Sequence, residues 1–144
     1  MTRAAAILIK DHSVALIRRF RAGRLYYIFP GGQVEPGETS MQAAVREIRE
    51  ELGLEIQAGA LVAEARRGGT LQLYYLGTIL GGEFGSGDGP ELRGEYPPEC
   101  GTYEPVWLPI DRLLVETVYP ASICKLIQDA VKNGWNPAPA YFED

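Results

Sequence analysis

Residues 29–55 read FPGGQVEPGETSMQAAVREIREELGLE, and six glutamates fall between Gly31 and Glu55. Pro30, Gly31 and Gly32 break regular structure, Pro36-Gly37 adds a turn, and from Ser40 to Leu52 the apolar positions recur with helical spacing. Thr39 stands three residues before Gln42, as a capping box requires, and Gly53 follows the last apolar position as a C-cap does. At about 100° per residue, Met41, Ala44, Val45, Ile48 and Leu52 share one stripe of this helix, and Glu47, Glu50 and Glu51 share the stripe beside it.

Three acids crowded on one face oppose helix formation, because like charges three or four residues apart cost roughly 0.2–0.5 kcal/mol per pair. Arg46 relieves part of this through Glu50 at i, i+4, and Arg49 adds nearby positive charge. The remaining carboxylates form a platform suited to a hard divalent cation such as Mg2+ or Mn2+, which takes oxygen ligands and retains waters. Gly31 and Gly32 let backbone approach a ligand closely, so a peptide carbonyl is available to complete the coordination.

Gly32, Glu38, Arg46-Glu47-Ile48, Glu50-Glu51 and Gly53-Leu54 occupy every defining position of the Nudix box, and Phe29-Pro30-Gly31 also resembles the usual approach to it. The resemblance implies an α/β/α sandwich around a mixed β-sheet, with the box as loop, helix and loop at the active centre. It implies metal binding by Glu47, Glu50 and Glu51 with the Gly31 carbonyl, and bracing of the loop against the helix by Gly32, Glu38 and Arg46. Arg46 is structural first and tunes charge second. The general base varies across the family: a box glutamate serves, or one from a later loop. Glu99 and Glu104 are the nearest loop suppliers, ahead of Glu83, Glu91 and Glu95. The implied reaction is hydrolysis of the diphosphate bridge in a nucleoside diphosphate linked to a group X.

The chain has 144 residues, 46% hydrophobic, enough for one domain (1–144) with one core. Apolar runs at Arg3–Ile9 and Val14–Ile17 predict a hairpin with its turn at Lys10–Ser13. Leu25–Phe29 predicts a further strand, and Ile56–Ala65 and Leu71–Leu80 a second hairpin around Arg66–Thr70. Residues 81–102 hold seven glycines and three prolines and read as a long loop, either a lid or a surface insertion. Tyr103–Leu108 reads as a strand, Ile110–Leu114 as a helical turn and Pro120–Asn133 as a final helix. The aromatic tail beyond it shows no periodicity, and either folds back on the core or meets a second subunit.

A net charge of −5 argues against binding duplex nucleic acid or an anionic membrane through the overall field. Cys100 and Cys124 form neither a CxxC motif nor a disulfide framework, and no run of membrane-spanning length occurs, so a cytoplasmic setting is expected. Arg18, Arg19 and Tyr27 are the candidate substrate contacts, Arg19 ahead of Arg18. The alternatives are solvated strand ends or carboxylate partners for the arginines and core packing for the tyrosine. The markers of ADP-ribose, dinucleoside polyphosphate and coenzyme A hydrolases are missing at Gly69–Leu71 and Leu16–Arg19. A nucleoside triphosphate pyrophosphatase that removes oxidised or noncanonical nucleotides is the leading expectation. A hydrolase of ADP-ribose, a nucleotide sugar or a dinucleoside polyphosphate comes next, and a nucleotide-sensing module, which would be expected to have lost box acids, comes last. Homodimers are common in the resembled family.

Overall fold

A computed structural model describes residues 1–89, 99 and 101–143. Strands β1 (Thr2–Ile7), β5 (Gly31–Gln33), β6 (Leu54–Arg67), β7 (Thr70–Gly82) and β10 (Ala140–Glu143) form one sheet in the order β10-β6-β7-β1-β5. Strands β2 (Ile9–Lys10), β3 (Ser13–Arg21), β4 (Arg24–Ile28) and β9 (Val118–Tyr119) form a second, in which β8 (Glu104–Pro109) also pairs with β3. Helices α1 (Ser40–Leu52) and α2 (Ala121–Asn133) complete the architecture, with a 3-10 turn at Ile110–Arg112.

Alternation along two strands explains the layering. In β1, Ala5 and Ile7 join an apolar cluster with Ile123 and Ile127 of α2, while Ala6 and the following Leu8 join one with Ile48 and Leu52 of α1. In β3, Val14 and Leu16 face the α2 side and Ala15 and Ile17 the α1 side. Successive side chains of a strand point to opposite faces, so these central strands are covered on both, giving an α/β/α sandwich. Cys124 lies inside the α2 cluster, and burial pushes its thiol up to about 12, which makes it a packing residue.

The expected N-terminal hairpin is divided between the sheets. Only Ile9–Lys10 pairs antiparallel with Ser13–Val14, whereas Thr2–Ile7 runs parallel to β7 and antiparallel to β5. Gly31 and Gly32 do not break the structure either; they are β5. A Cβ on Gly31 would lie 2.4 Å from the Ala4 carbonyl oxygen, so glycine is what permits this close pairing. The tail also gains an element, because β10 pairs parallel with β6 while Trp135 and Phe142 pack on the larger core cluster.

Helix α1 is fixed at both ends. Thr39 accepts from the Gln42 amide and Gln42 reaches back to the Thr39 amide. At the other end Gly53 adopts φ 77°, and residues 83–89 wrap over the helix terminus. The amides of Glu83, Gly85 and Gly89 donate to the carbonyls of Gly53, Leu52 and Glu50 at 3.2, 2.8 and 2.9 Å, and Phe84 stacks on Trp107 at 5.0 Å. The first part of the expected long loop is therefore a cap for α1. Residues 90–98 and 100, with Glu91, Glu95 and Cys100, lie outside the described residues.

A Cβ on Gly53 would meet Ser86 Oγ at 2.2 Å and the Glu83 carbonyl at 2.7 Å, at a left-handed φ. Gly53→Ala is expected to lower stability by about 1–2 kcal/mol from backbone conformation alone, with displacement of residues 83–87 adding to it. An unchanged denaturation midpoint would refute the clamp.

Candidate active site

The site is assembled around Arg46, which projects from α1 towards the loop that follows β5. Its Nε and Nη2 donate to the two carboxylate oxygens of Glu38 at 2.8 and 3.1 Å, a bidentate pair, and Nη2 also donates to the Gln33 carbonyl at 3.0 Å. Its Nη1 donates to Glu47 at 2.8 Å and to Glu50 at 3.2 Å, and Glu35 lies 3.8 Å away. Only 16% of the Arg46 side chain is exposed, and 13–15% of those of Glu38 and Glu47, so these charges meet with little screening.

The protonation states follow from these contacts. The hydrogen bond from Arg46 holds the Glu38 carboxyl below its usual 4.5 against the opposing effect of desolvation, and the Glu35 amide at 3.1 Å assists. The Glu38 bond in turn raises Arg46 well above the ordinary arginine value, with Glu47 contributing.

Gly31 and Gly32 bring backbone against the acids. The Gly31 amide donates to Glu51 at 2.9 Å. A Cβ on Gly32 would stand 2.3 Å from Glu47 Oε1, so glycine clears the space that the carboxylate fills. Glu47, Glu50 and Glu51 thus stand beside one arginine nitrogen and one glycine pair. Among the described residues no three carboxylate, imidazole or thiol groups already converge on a single point. The reason is visible in the contacts: Arg46 draws Glu47 and Glu50 to itself while the Gly31 amide draws Glu51. By type the donors are carboxylate oxygens and a peptide carbonyl, which fit Mg2+ or Mn2+ and not a soft metal.

The other anticipated residues lie elsewhere. Arg18 is exposed and pairs with Glu104 at 3.8 Å across β3 and β8. Arg19 is buried, 7% exposed; its Nε donates to the Thr102 carbonyl at 2.8 Å and its guanidinium lies 3.7 Å from the Tyr103 ring centroid. Tyr27 is half-buried against the larger core cluster. Glu99 is exposed, and among the described residues no hydrogen bond or ion pair ties Glu99 or Glu104 to the box acids.

Sequence reasoning missed a cavity of about 340 Å³ beside Gly31, lined among others by Arg3, Phe29, Gln72, Tyr74 and Tyr119. Arg3 Nη2 lies 3.5 Å from the Gly31 carbonyl and links cavity to box. The available signal was alternation in β7, which puts Thr70, Gln72 and Tyr74 on one face, two of them polar.

The Glu38–Arg46 pair generates a pH dependence. Because the folded Glu38 value is depressed, its stabilisation is complete above pH of about 4.5 and is lost as pH falls through the lower folded value. Glu38→Gln is expected to destabilise the protein at neutral pH, with the difference from wild type shrinking in acid. A difference independent of pH in urea titrations would contradict this. Removing the cation leaves the half-buried Glu38 without its counter-charge, so Arg46→Met is expected to cost about 3 kcal/mol or more.

The NUDIX domain model matches residues 1–124. The chain is 45% identical over 67 residues to a CTP pyrophosphohydrolase of Escherichia coli strain K12, covering 44% of this chain and 48% of that protein. It is 35% identical over 92 residues to an ADP-ribose pyrophosphatase of Methanocaldococcus jannaschii, covering 57% and 53%. The chain thus spans about half the length of these curated relatives. The solution structure of the E. coli ORF135 protein superposes with a TM-score of 0.68 at 26% identity, covering 95% of this chain and 93% of that one. With the family model matching most of its length, the chain belongs to the NUDIX family.

Proposed function

We propose that the protein is a metal-dependent hydrolase that cleaves the diphosphate bridge of a nucleoside diphosphate linked to X, with nucleoside triphosphates as its leading substrates. The observation that carries this reading is the gathering of Glu47 and Glu50 on one guanidinium nitrogen of Arg46, next to the Gly31-Gly32 backbone that meets Glu51 and Glu47. Such a concentration of acids destabilises the fold unless cations offset it, and Arg46 faces Glu35, Glu38, Glu47 and Glu50.

Glu47, Glu50 and Glu51, with the Gly31 carbonyl, would hold the metal. Bound there, Mg2+ or Mn2+ would neutralise phosphate oxygens and lower the pKa of water. The chain's own groups do the rest. Arg46 fixes Glu47 and Glu50 on one face and, held protonated, does not compete as a base. The Gly31 amide orients Glu51. A carboxylate of the box accepts the proton of the attacking water; Glu99 and Glu104 are the reserve candidates, although Glu104 is engaged with Arg18. The products are a nucleoside monophosphate and a phosphorylated X, which for a triphosphate is pyrophosphate. No helix among the described residues is long and apolar enough to cross a membrane.

The test is product release from nucleoside triphosphates, ADP-ribose, nucleotide sugars and dinucleoside polyphosphates, with Mg2+, with Mn2+ and with chelator. Metal-dependent release from a triphosphate is expected. Glu50→Gln is expected to lower kcat at least about 100-fold with an unchanged circular dichroism spectrum. Hydrolysis that survives chelation, or a fully active Glu50→Gln variant, would overturn the reading.

A further inference from the structure

We propose that the cavity beside Gly31 holds the nucleobase and selects one that presents two adjacent hydrogen-bond acceptors, namely O2 and N3 of cytosine or O6 and N7 of guanine, through Arg3 and Gln72. The inference rests on the nucleotide reading above and names the base class.

Arg3 and Gln72 are direct partners on the parallel strands β1 and β7. Arg3 Nε donates to Gln72 Oε1 at 3.2 Å. A guanidinium carries donors and no acceptor, so this contact fixes the amide: the reverse orientation would set N–H against N–H. Gln72 therefore turns its NH2 group away from Arg3. Among the described residues neither that group nor Arg3 Nη1 has a hydrogen-bond partner, and Arg3 has no ion pair.

Among the described residues no carboxylate lines the cavity, and Arg67 adds further donors at its rim. Thr70 and Tyr74 bring hydroxyls, which can donate as well as accept. The hydroxyl oxygen of Tyr119 already accepts from Arg24 at 2.8 Å, which leaves its own hydrogen to donate. Between these polar groups the surfaces are flat and apolar. Phe29 and Tyr74 meet edge to face at 5.9 Å and 85°, with Ile28, Ala65 and Pro120 around them. A phosphate would meet the arginines but lose its water to those apolar walls without compensation, whereas the faces of a base gain from them. The volume of about 340 Å³ lies in the range of small-ligand sites.

Paired donors discriminate among bases by elementary pattern. Cytosine places two acceptors side by side on its pairing edge, and guanine does so on its major-groove edge. Adenine sets the N6 donor beside N1 and N7, and uracil interposes N3–H between its carbonyls. 8-Oxoguanine carries a hydrogen on N7, so on that edge it meets the same donors with a donor of its own. The pattern favours unmodified cytosine and guanine nucleotides over oxidised guanine.

The deciding experiment measures binding of CMP, GMP, AMP, UMP and 8-oxo-GMP by calorimetry, without added metal, to the wild-type chain and to Gln72→Glu. This variant keeps an oxygen for Arg3, exchanges the NH2 donor for an acceptor and adds one negative charge, whose repulsion of the phosphate falls on all five nucleotides alike. Wild type is expected to bind CMP and GMP at least about tenfold more tightly than the other three, with that ratio collapsing towards one in Gln72→Glu. Equal affinities in wild type, a ratio that survives the substitution, a uniform weakening of all five, or no binding at millimolar concentration would each overturn the proposal. Because this readout needs no turnover, base selectivity in a protein that hydrolyses no nucleotide would contradict the hydrolase reading and leave the base reading standing.

Discussion

One guanidinium carries the architecture of the site. Arg46 satisfies both oxygens of Glu38, the Gln33 carbonyl, Glu47 and Glu50, and so ties the loop after β5 to the helix that bears the acids. A lysine could not reproduce this, since one ammonium cannot present five donors in a planar fork. Without the cation, Glu47 and Glu50 would repel on one helix face and Glu38 would lie half-buried with no counter-charge. Burial of such a group stabilises little in itself, but its removal leaves Glu38 unpaired in a poorly screened place.

The platform is only as well defined as α1. Thr39 and Gln42 close its first turn, while Glu83, Gly85 and Gly89 satisfy carbonyls of its last. Two of those carbonyls belong to Leu52 and Glu50, so the chain that follows β7 is bonded directly to the backbone of a candidate metal ligand. Supporting contacts of this kind hold a reactive group to the tolerance that chemistry needs. On the other side β5 backs onto β1 with no side chain between, which sets the depth at which the Gly31 carbonyl and amide sit.

Helix α1 and its caps were legible in the sequence because periodicity and capping are local. So was the clustering of Glu47, Glu50 and Glu51, which follows from helix geometry once the helix is granted. The division of the N-terminal strand between two sheets was not legible, since Arg3–Ile9 is uniformly apolar after Arg3 and only the partners β7 and β3 separate its halves. Strand β10 was missed for the same reason: it exists because β6 offers an edge about 77 residues earlier. Arg19 is a candidate ligand contact through the family resemblance; its burial was not legible because it depends on Thr102 and Tyr103, more than eighty residues away. The Arg3–Gln72 pair was invisible until β1 and β7 were known to be neighbours.

The central claim is that the acids beside Arg46 hold a divalent cation. Titration with Mn2+ followed by electron paramagnetic resonance tests it without reference to any substrate. The account predicts Mn2+ bound by the wild-type chain, displaced by Mg2+, and bound at least about tenfold more weakly by Glu47→Gln. Equal Mn2+ binding by both proteins would place the metal elsewhere and contradict it.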